Sequence, residues 1–427
     1  MKVAVKIPLL VTKQEAIVLD SQSRIANWLY NRLLEQANAL RKRYRETQEK
    51  EVGKVLYTER GLRDLIPGLK AQHPFLKTVY SSVLKNAALR LSKAIRDYQD
   101  GRHGRRANLV NWPKFRAWKR TWFSLQYDEP SKGYRLVGRS LTLVLGQDEA
   151  GEQLKIELEL AEALPHWVKH QHIRQCRIVK EGQIYSVVFS VERVLPNGKP
   201  LFYTRIVALD PNHKNFAYAV GTDGVATEIK NPYFLKGYDK RIDRLKSKRD
   251  KCKRKSRVIT REDGSQFWLP SRRWLMLNAR LQNVLRERRE QTKQFLYTVA
   301  NRLYHDYDAV SVGDYVPHGG GITRKMRRAM NNRSLNKRFK QVLAWVALRS
   351  GKQYLEWAEV GSTRTCHDCG YVVAEGIPVE VREWDCPGPE CSSHHIRDEN
   401  AARNGLTRTL KALALPCSGR REVSSRR

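Results

Sequence analysis

Four cysteines in two close pairs between positions 366 and 391 constrain this chain more tightly than any other feature of its sequence. Cys366 and Cys369 form a CxxC pair, and Cys386 and Cys391 form a looser CPGPEC pair. Two turns of this kind present four thiolates to one tetrahedral ion, whose binding stabilises a loop too short to have its own core. The spacing therefore predicts one structural Zn²⁺ ion, because four sulfurs leave no open position for catalysis.

The chain has other histidines and cysteines that could in principle bind the metal or form disulfides. Three nearby histidines rank below the cysteines as zinc ligands: His367, His394 and His395. Three further cysteines stand alone: Cys176, Cys252 and Cys417. Seven cysteines placed this unevenly do not form a disulfide framework, so we expect a reducing, intracellular compartment.

The charge of the chain predicts its class of partner. Lys and Arg number 80 against 44 Asp and Glu, which gives a formal net charge of +36. Such an excess destabilises a compact protein by self-repulsion unless a polyanion binds, and nucleic acid is the natural polyanion. The basic residues are spread through the chain, no apolar run reaches the roughly 20 residues of a membrane span, and no secretory signal is evident. We therefore expect no membrane partner.

The periodicity of apolar residues changes twice along the chain. An opening strand, VAVKIPLL, is followed from about residue 14 by helical patterning that is broken by the basic, aromatic stretch DGRHGRRANLVNWPKFRAWKRTWF. Short alternating runs between about 134 and 205 predict antiparallel strands of a small β-barrel or sandwich, with the first helices inserted after its first strand. From residue 206, strands alternate with helices, which predicts a separate α/β domain.

Basic segments in both halves of the chain are candidate contact surfaces for a nucleic-acid backbone. Each could instead be a solvated loop or helix face, but several in so cationic a chain favour a binding channel. The candidate side chains are Lys114, Arg116, Lys119, Arg120, Lys248, Arg249, Lys253, Arg254, Arg327 and Arg328.

Two aspartates are candidate magnesium ligands. Asp210 ends an apolar strand, and Asp398 lies in HHIRDENAARNG, just before an Ala-rich helix. Either one alone is more often a turn former or a helix N-terminal residue. Hydrolysis of a phosphodiester by two metal ions requires several carboxylates around a pair of Mg²⁺ ions about 3.5–4 Å apart, so the combination is more specific than either residue.

The strand-borne Asp210, the cysteine pairs and above all RDENAARN resemble the nuclease half of TnpB proteins and of their relatives, the miniature type V CRISPR effectors. The resemblance implies an α+β multidomain fold in which a β-barrel wedge domain carries an inserted helical recognition domain. An RNase H-like (RuvC) α/β nuclease domain with an inserted zinc ribbon follows. The implied boundaries are 1–13 and 130–205 for the wedge, 14–129 for recognition, 206–365 and 392–412 for the nuclease, 366–391 for the ribbon and 413–427 for a basic tail.

The same resemblance implies the function and the partners. In this family a guide RNA pairs with one strand of double-stranded DNA, the protein reads a short motif beside the target, and one site with two Mg²⁺ ions cuts both strands. It further implies a monomer, or a homodimer on the RNA, in the cytoplasm of a bacterial or archaeal cell and associated with the nucleoid.

One departure from the family pattern concerns the third acid. The sequence DAVSVGDY has Gly313 where the family usually has a catalytic glutamate, and the adjacent Asp314 should point to the opposite face of the strand. Some TnpB relatives and the Fanzor proteins instead have this glutamate seven residues before the first zinc cysteine, a position that Glu359 occupies here. The resemblance thus implies Asp210, Glu359 and Asp398 as magnesium ligands, with strand 353–360 expected beside the strand of Asp210.

Two other functions remain open at this point. A nuclease-dead relative would use guide RNA only to bind and repress DNA, if Gly313 marks a decayed site. A zinc-ribbon DNA-binding or transposition protein would act without RNA. An RNA of defined length bound to the natively purified protein would separate the RNA-guided functions from the RNA-independent one.

Overall fold

The computed structural model describes residues 1–118, 121–196, 203–212, 215–260, 266–314, 335–378 and 380–414. The chain clusters into two units, Met1–Val194 with Lys248–Arg286, and Leu195–Ser247 with Glu287–Arg427. Both contain helices and sheets, which confirms the predicted α+β class. The domain boundaries remain predictions, and Lys248–Arg286, which the sequence places in the nuclease domain, clusters with the first unit. Among the described helices, none is both long and apolar enough to cross a bilayer.

The first unit contains one antiparallel sheet of seven strands in the order β2-β6-β7-β1-β5-β4-β3. Its strands are β1 (Lys2–Leu10), β2 (Trp122–Tyr127), β3 (Tyr134–Val137), β4 (Ser140–Gln147), β5 (Gln153–Leu160), β6 (Ile173–Glu181) and β7 (Ile184–Glu192). The alternating patterns in the sequence fold as predicted, and the sheet also includes β2, which lies in the range assigned to the helical domain.

Strand β1 connects the two halves of this sheet. Its first part, Lys2–Pro8, pairs with β7, and its last residues, Leu9 and Leu10, pair with β5. Its alternate residues Val5 and Ile7 are buried, which fixes the register of the strand because a shift by one residue would expose them.

Four helices of the first unit follow β1 directly, as the sequence predicts: α1 (Lys13–Thr47), α2 (Lys50–Tyr57), α3 (Ile66–Gln72) and α4 (Ser81–Arg102). Helix α1 begins with a capping box between Thr12 and Glu15. It is joined to β6 by a largely buried ion pair, in which the Lys180 Nζ lies 2.8 Å from the Asp20 Oδ1.

After β7 the chain forms β8 (Ile206–Pro211), β9 (Ala217–Gly221) and β10 (Ala226–Ile229). These strands are followed by α5 (Phe234–Lys251), the hairpin of β11 (Arg257–Thr260) and β12 (Gln266–Leu269), and α6 (Arg272–Asp306). After α6 come β13 (Ala309–Gly313), α7 (Asn336–Ser350), β14 (Gln353–Trp357), β15 (Glu383–Asp385), β16 (His394–Ile396) and α8 (Arg397–Ala414).

The sheet of the second unit has the order β10-β9-β8-β13-β14, with β13 parallel to both β8 and β14. The expectation that strand 353–360 lies beside the strand of Asp210 is therefore wrong. The strand ends at Trp357, and β13 separates it from β8 because Val310 pairs with Val207 on one side and with Tyr354 on the other.

Helix α8 packs closely against this sheet. A side chain at Gly405 would lie 2.4 Å from the Trp357 ring, so only glycine permits the approach to β14. Farther along, the Thr409 hydroxyl hydrogen-bonds the Ser311 hydroxyl of β13 at 2.8 Å. The first turn of α8, which contains Asp398, is thereby held at the edge of the sheet where β8 and β13 end.

Candidate functional site

The three predicted carboxylates form one electrostatic cluster. Asp210 lies near the end of β8 and is only 7% exposed. Burial raises the pKa of Asp210 well above its usual range, and the negative charges of Glu359 and Asp398 raise it further, while the positive charge of Arg397 opposes them. The structure thus brings together residues from β8, the segment after β14 and the start of α8.

Gly313 provides the space in which the Glu359 side chain lies. A Cβ built on Gly313 would be 1.8 Å from the Glu359 Oε1 and 2.5 Å from its Cδ, far closer than real atoms approach. The glutamate therefore occupies the volume in which a side chain at position 313 would begin. The Glu359 carboxylate thus reaches the end of β13 from beyond β14.

Asp314 has a different environment. Its backbone N–H donates to the Trp357 carbonyl at 2.9 Å, and its exposed carboxylate accepts the backbone N–H of Glu359, also at 2.9 Å. Asp314 thus contacts the backbone of the glutamate and fixes where the segment after β14 turns.

Two further residues contact Asp398 that sequence reasoning did not identify. The Asn212 Nδ2 donates to the Asp398 Oδ2 at 2.5 Å, and the Arg382 guanidinium lies 3.5 Å from the same oxygen. Asn212 follows Asp210 by two positions, so the alternation of an extended chain is a signal that could have placed both on one face. Arg382 has no such signal, because it comes from the cysteine-rich module.

The four predicted zinc ligands converge. The sulfurs of Cys366, Cys369, Cys386 and Cys391 all lie within 4.8 Å of one another, with 3.9 Å between Cys366 and Cys391 and 3.6 Å between Cys369 and Cys386. Four sulfurs at about 2.3 Å from a tetrahedral zinc are about 3.8 Å apart, so these distances fit one zinc ion. They are far too long for disulfides.

Backbone N–H groups hydrogen-bond two of the four sulfurs. The backbone N–H of Tyr371 donates to the Cys369 sulfur and that of Gly388 to the Cys386 sulfur, both at 3.4 Å. The buried His395 places its Nε2 3.0 Å from the Cys366 sulfur, and Cys366, Asp368 and His395 form a second, overlapping group of possible ligands. Four sulfurs already complete a tetrahedron, so this geometry suits His395 as a hydrogen-bond partner of Cys366.

The carboxylates are more loosely arranged than the cysteines. Within the described ranges, only the two cysteine-containing groups place three or more ligand atoms within 4.8 Å of one another. Asp210, Glu359 and Asp398 interact through their charges, but they are not among the groups that meet this distance criterion. Their oxygen donors nevertheless suit Mg²⁺, which prefers carboxylates and keeps several of its own waters.

The predicted nucleic-acid contacts are partly visible. Lys114, Lys248, Lys253 and Arg254 are exposed, and Arg249 is half-buried beside Asp250 and the Trp274 ring. The Arg116 guanidinium lies 3.8 Å from the centroid of the Tyr30 ring, and two asparagines of α1 hydrogen-bond its backbone: Asn27 and Asn31. Four of the predicted contacts lie outside the described residues: Lys119, Arg120, Arg327 and Arg328.

Comparison with known proteins supports the resemblance drawn from the motifs. Residues 337–405 match the family described as Cas12f1-like, TNB domain. A protein of Streptomyces pristinaespiralis, named as an RNA-guided DNA endonuclease, is 31% identical over 131 residues, which cover 28% of this chain and 29% of that protein. The fold resembles that of Cas12f1 in a cryo-EM structure of the Cas12f1–sgRNA–target DNA complex, with a TM-score of 0.55, 10% identity, and coverage of 92% of this chain and 83% of that chain.

The resemblance to TnpB-like proteins and miniature type V effectors is thereby confirmed for the cysteine module and for the fold. The sequence alignment spans under a third of the curated relative, so it does not extend to that protein's full length.

Proposed function

We propose that this chain is an RNA-guided DNA endonuclease, in which a guide RNA directs double-strand cleavage beside a short motif by one RuvC-like site. The observation that carries the nuclease part of the proposal is the buried Asp210, whose pKa is raised by burial and raised further by the nearby charges of Glu359 and Asp398. A protein gains nothing in stability from acids that repel one another at a buried position, so such a cluster is a strong candidate for a cation site.

The three acids and their neighbours have separate parts in this proposal. Asp210, Glu359 and Asp398 would hold two Mg²⁺ ions, which supply an activated water and stabilise the leaving oxygen. Asn212 orients Asp398 through its 2.5 Å hydrogen bond. Arg382, 3.5 Å from Asp398, offsets the charge of the acids and presents a cation to a phosphodiester.

The cysteine module has a structural part. We propose that Cys366, Cys369, Cys386 and Cys391 bind one Zn²⁺ ion, because their sulfur spacings fit a tetrahedron and leave no open position. The exposed cations of the first unit and of α5, together with the net charge of +36, suit a guide RNA and a double-stranded DNA as partners. We further propose that the protein acts on DNA in the cytoplasm of a bacterial or archaeal cell.

The experiment uses the protein purified with its co-expressed guide RNA and a target library with randomised flanking sequence. Double-strand cleavage is measured in Mg²⁺, and target binding is measured separately in the absence of the metal. We expect Asp210→Ala, Glu359→Ala and Asp398→Ala to lower cleavage by several orders of magnitude with target binding nearly intact.

Asp314→Ala is the matched variant, because the Asp314 carboxylate accepts the backbone N–H of Glu359. We expect a smaller loss from it than from Glu359→Ala. Normal cutting by Glu359→Ala, with Asp314→Ala inactive, would reverse the assignment of the third acid. Guided binding without any cleavage by the wild type would replace the endonuclease with a nuclease-dead DNA-binding protein, and binding without RNA would favour the RNA-independent function.

A further inference from the structure

Three side chains of α8 form a row along one face of the helix. Asn400, Asn404 and Arg408 are spaced by four residues, which places them one above another. All three donate hydrogen bonds to backbone carbonyls of the segment that connects β14 to the first zinc cysteine, residues 358–365. We call these three side chains the α8 row.

The two asparagines hold the part of the segment next to the cysteines. The Asn400 Nδ2 donates to the carbonyls of Ser362 at 3.2 Å and Thr365 at 2.8 Å, and the Asn404 Nδ2 donates to the same carbonyls at 2.9 and 2.7 Å. Each amide has two N–H groups, so both are fully used. Asn400 is 1% exposed and Asn404 is 9% exposed, so these bonds form away from water, where their loss is costly.

Asn400 also reaches beyond the first zinc cysteine. Its Oδ1 accepts the backbone N–H of His367 at 3.0 Å. One side chain therefore contacts the backbone on both sides of Cys366, two positions away from Asp398 in its own helix. The placement of the cysteine turn and that of the aspartate are thus linked through a single residue.

Arg408 holds the other end of the segment. Its guanidinium donates to the carbonyls of Ala358 and of Val360, the latter at 3.0 Å. These are the carbonyls immediately before and after Glu359. The backbone N–H of Glu359 is held by Asp314, and its carbonyl accepts the N–H of Ser362 at 2.9 Å. Hydrogen bonds therefore hold the backbone of Glu359 and the carbonyls of both of its neighbours in the chain.

We infer that Asn400, Asn404 and Arg408 are positioning residues that set the distance between Glu359 and Asp398. The inference rests on the proposed function, because it assigns the row to the metal-binding carboxylates. Both acids are attached to α8, Asp398 covalently and Glu359 through the row. The cysteine module, held by the same asparagines, would then transmit its own order to the carboxylate pair without contributing a ligand.

This arrangement predicts a defect in metal affinity from residues that do not touch the metal. Asn404→Asp keeps the shape of the side chain but replaces two donors with a carboxylate facing two carbonyls. Arg408→Leu removes the donors beside Glu359, and Arg408→Lys keeps a cation that donates. Outer residues that orient ligands change metal affinity by about 10–100-fold when removed. Lys411→Ala, at an exposed position of α8, is the matched control.

The test measures Mn²⁺ affinity by calorimetry on the guide-bound protein without target DNA, with Asp210→Asn as the blank, together with zinc content and melting temperature. We expect Asn404→Asp and Arg408→Leu to raise the Mn²⁺ dissociation constant at least about tenfold, and to raise the Mg²⁺ concentration for half-maximal cleavage in parallel. Arg408→Lys and Lys411→Ala should match the wild type, and every variant should retain its zinc.

Two outcomes overturn the inference alone. One is equal Mn²⁺ affinity in the wild type and both row variants, with the blank clearly weaker. The other is a weaker Mn²⁺ affinity in Asn404→Asp and Arg408→Leu that Arg408→Lys shares and that parallels a fall in melting temperature. A purely structural role of the row would give this result. If the wild type binds Mn²⁺ no better than the blank, the proposed function itself fails and the inference fails with it.

Discussion

Replacing Gly313 with alanine tests whether one position of the site is shared between two strands. The added Cβ would lie 1.8 Å from the Glu359 Oε1 and 2.6 Å from its Cγ, whereas real Cβ atoms stay at least 3.0 Å from their neighbours. The carboxylate must therefore retreat by about 1.2 Å, the difference between 3.0 and 1.8 Å. The atoms that must move, Cγ, Cδ and Oε1, all belong to the one flexible side chain of Glu359, so the variant should fold normally.

The consequence should appear in the rate of cleavage. A displacement of about 1 Å at a reacting centre can cost on the order of 100-fold in rate. We therefore expect Gly313→Ala to lower the single-turnover cleavage rate of a labelled target about 100-fold, with unchanged binding of guide and target and an unchanged melting temperature. Single-turnover kinetics in saturating Mg²⁺ separate this loss from slow product release.

Two companion variants sharpen the result. Gly237→Ala, in α5, meets nothing within 4 Å and should cut like the wild type. The double variant Gly313→Glu with Glu359→Ala supplies a carboxylate from β13 and removes the one that occupies its space, so it should cut faster than either single variant. If Gly313→Ala cleaves at the wild-type rate, the shared-space argument is refuted and the role of Glu359 must be reassigned.

Three further predictions concern stability and ligands. The pKa of Asp210 is raised in the folded state, so between its unfolded and folded pKa values the metal-free folded protein binds more protons than the unfolded chain. The stability of the metal-free protein therefore falls as pH rises between these two pKa values. Asp210→Asn should therefore melt above the wild type in metal-free buffer near pH 8, and this advantage should vanish below about pH 4, as followed by calorimetry. Removal of zinc, or the double substitution Cys366→Ser with Cys386→Ser, should abolish cleavage and lower the melting temperature. The control Cys252→Ser should change neither. Elemental analysis that finds no zinc in active protein would contradict this prediction. Guide RNA should raise the melting temperature, and its binding should weaken steeply with salt, because it neutralises a charge of +36; equal melting temperatures with and without RNA would contradict the expectation.

The local elements of this fold were predictable from the sequence because their causes are local. The alternation of β1, the start of α1 and the cysteine spacing each follow from a few neighbouring residues. The order of strands was not predictable in the same way, since periodicity shows which face of a strand is buried but not which strand lies beside it. For this reason β13 was not expected between β8 and β14.

The candidate site also combines residues that local sequence identifies with contacts that only the folded chain creates. Asp210 and Asp398 belong to recognisable motifs, and Glu359 followed from resemblance to a known family. The contact that explains Gly313 joins positions 313 and 359 in space, and the asparagines and arginine of α8 act on a backbone segment about 40 residues earlier in the chain. Hydrogen bonds to backbone carbonyls leave no compositional pattern at the accepting residues, so only coordinates identify them.

The position of β1 has a consequence for the synthesis of this protein on the ribosome. This strand is made first among the described elements, yet its partners β5 and β7 end at Leu160 and Glu192. At about 5–20 residues per second, the nascent chain carries β1 unpaired for on the order of ten seconds or more. During that interval α1 to α4 can form from local contacts, while Val5 and Ile7 stay exposed on a strand without hydrogen-bonding neighbours. A nascent chain paused before β7 should therefore be the species that chaperones bind, and it should aggregate more as translation between β1 and β7 slows.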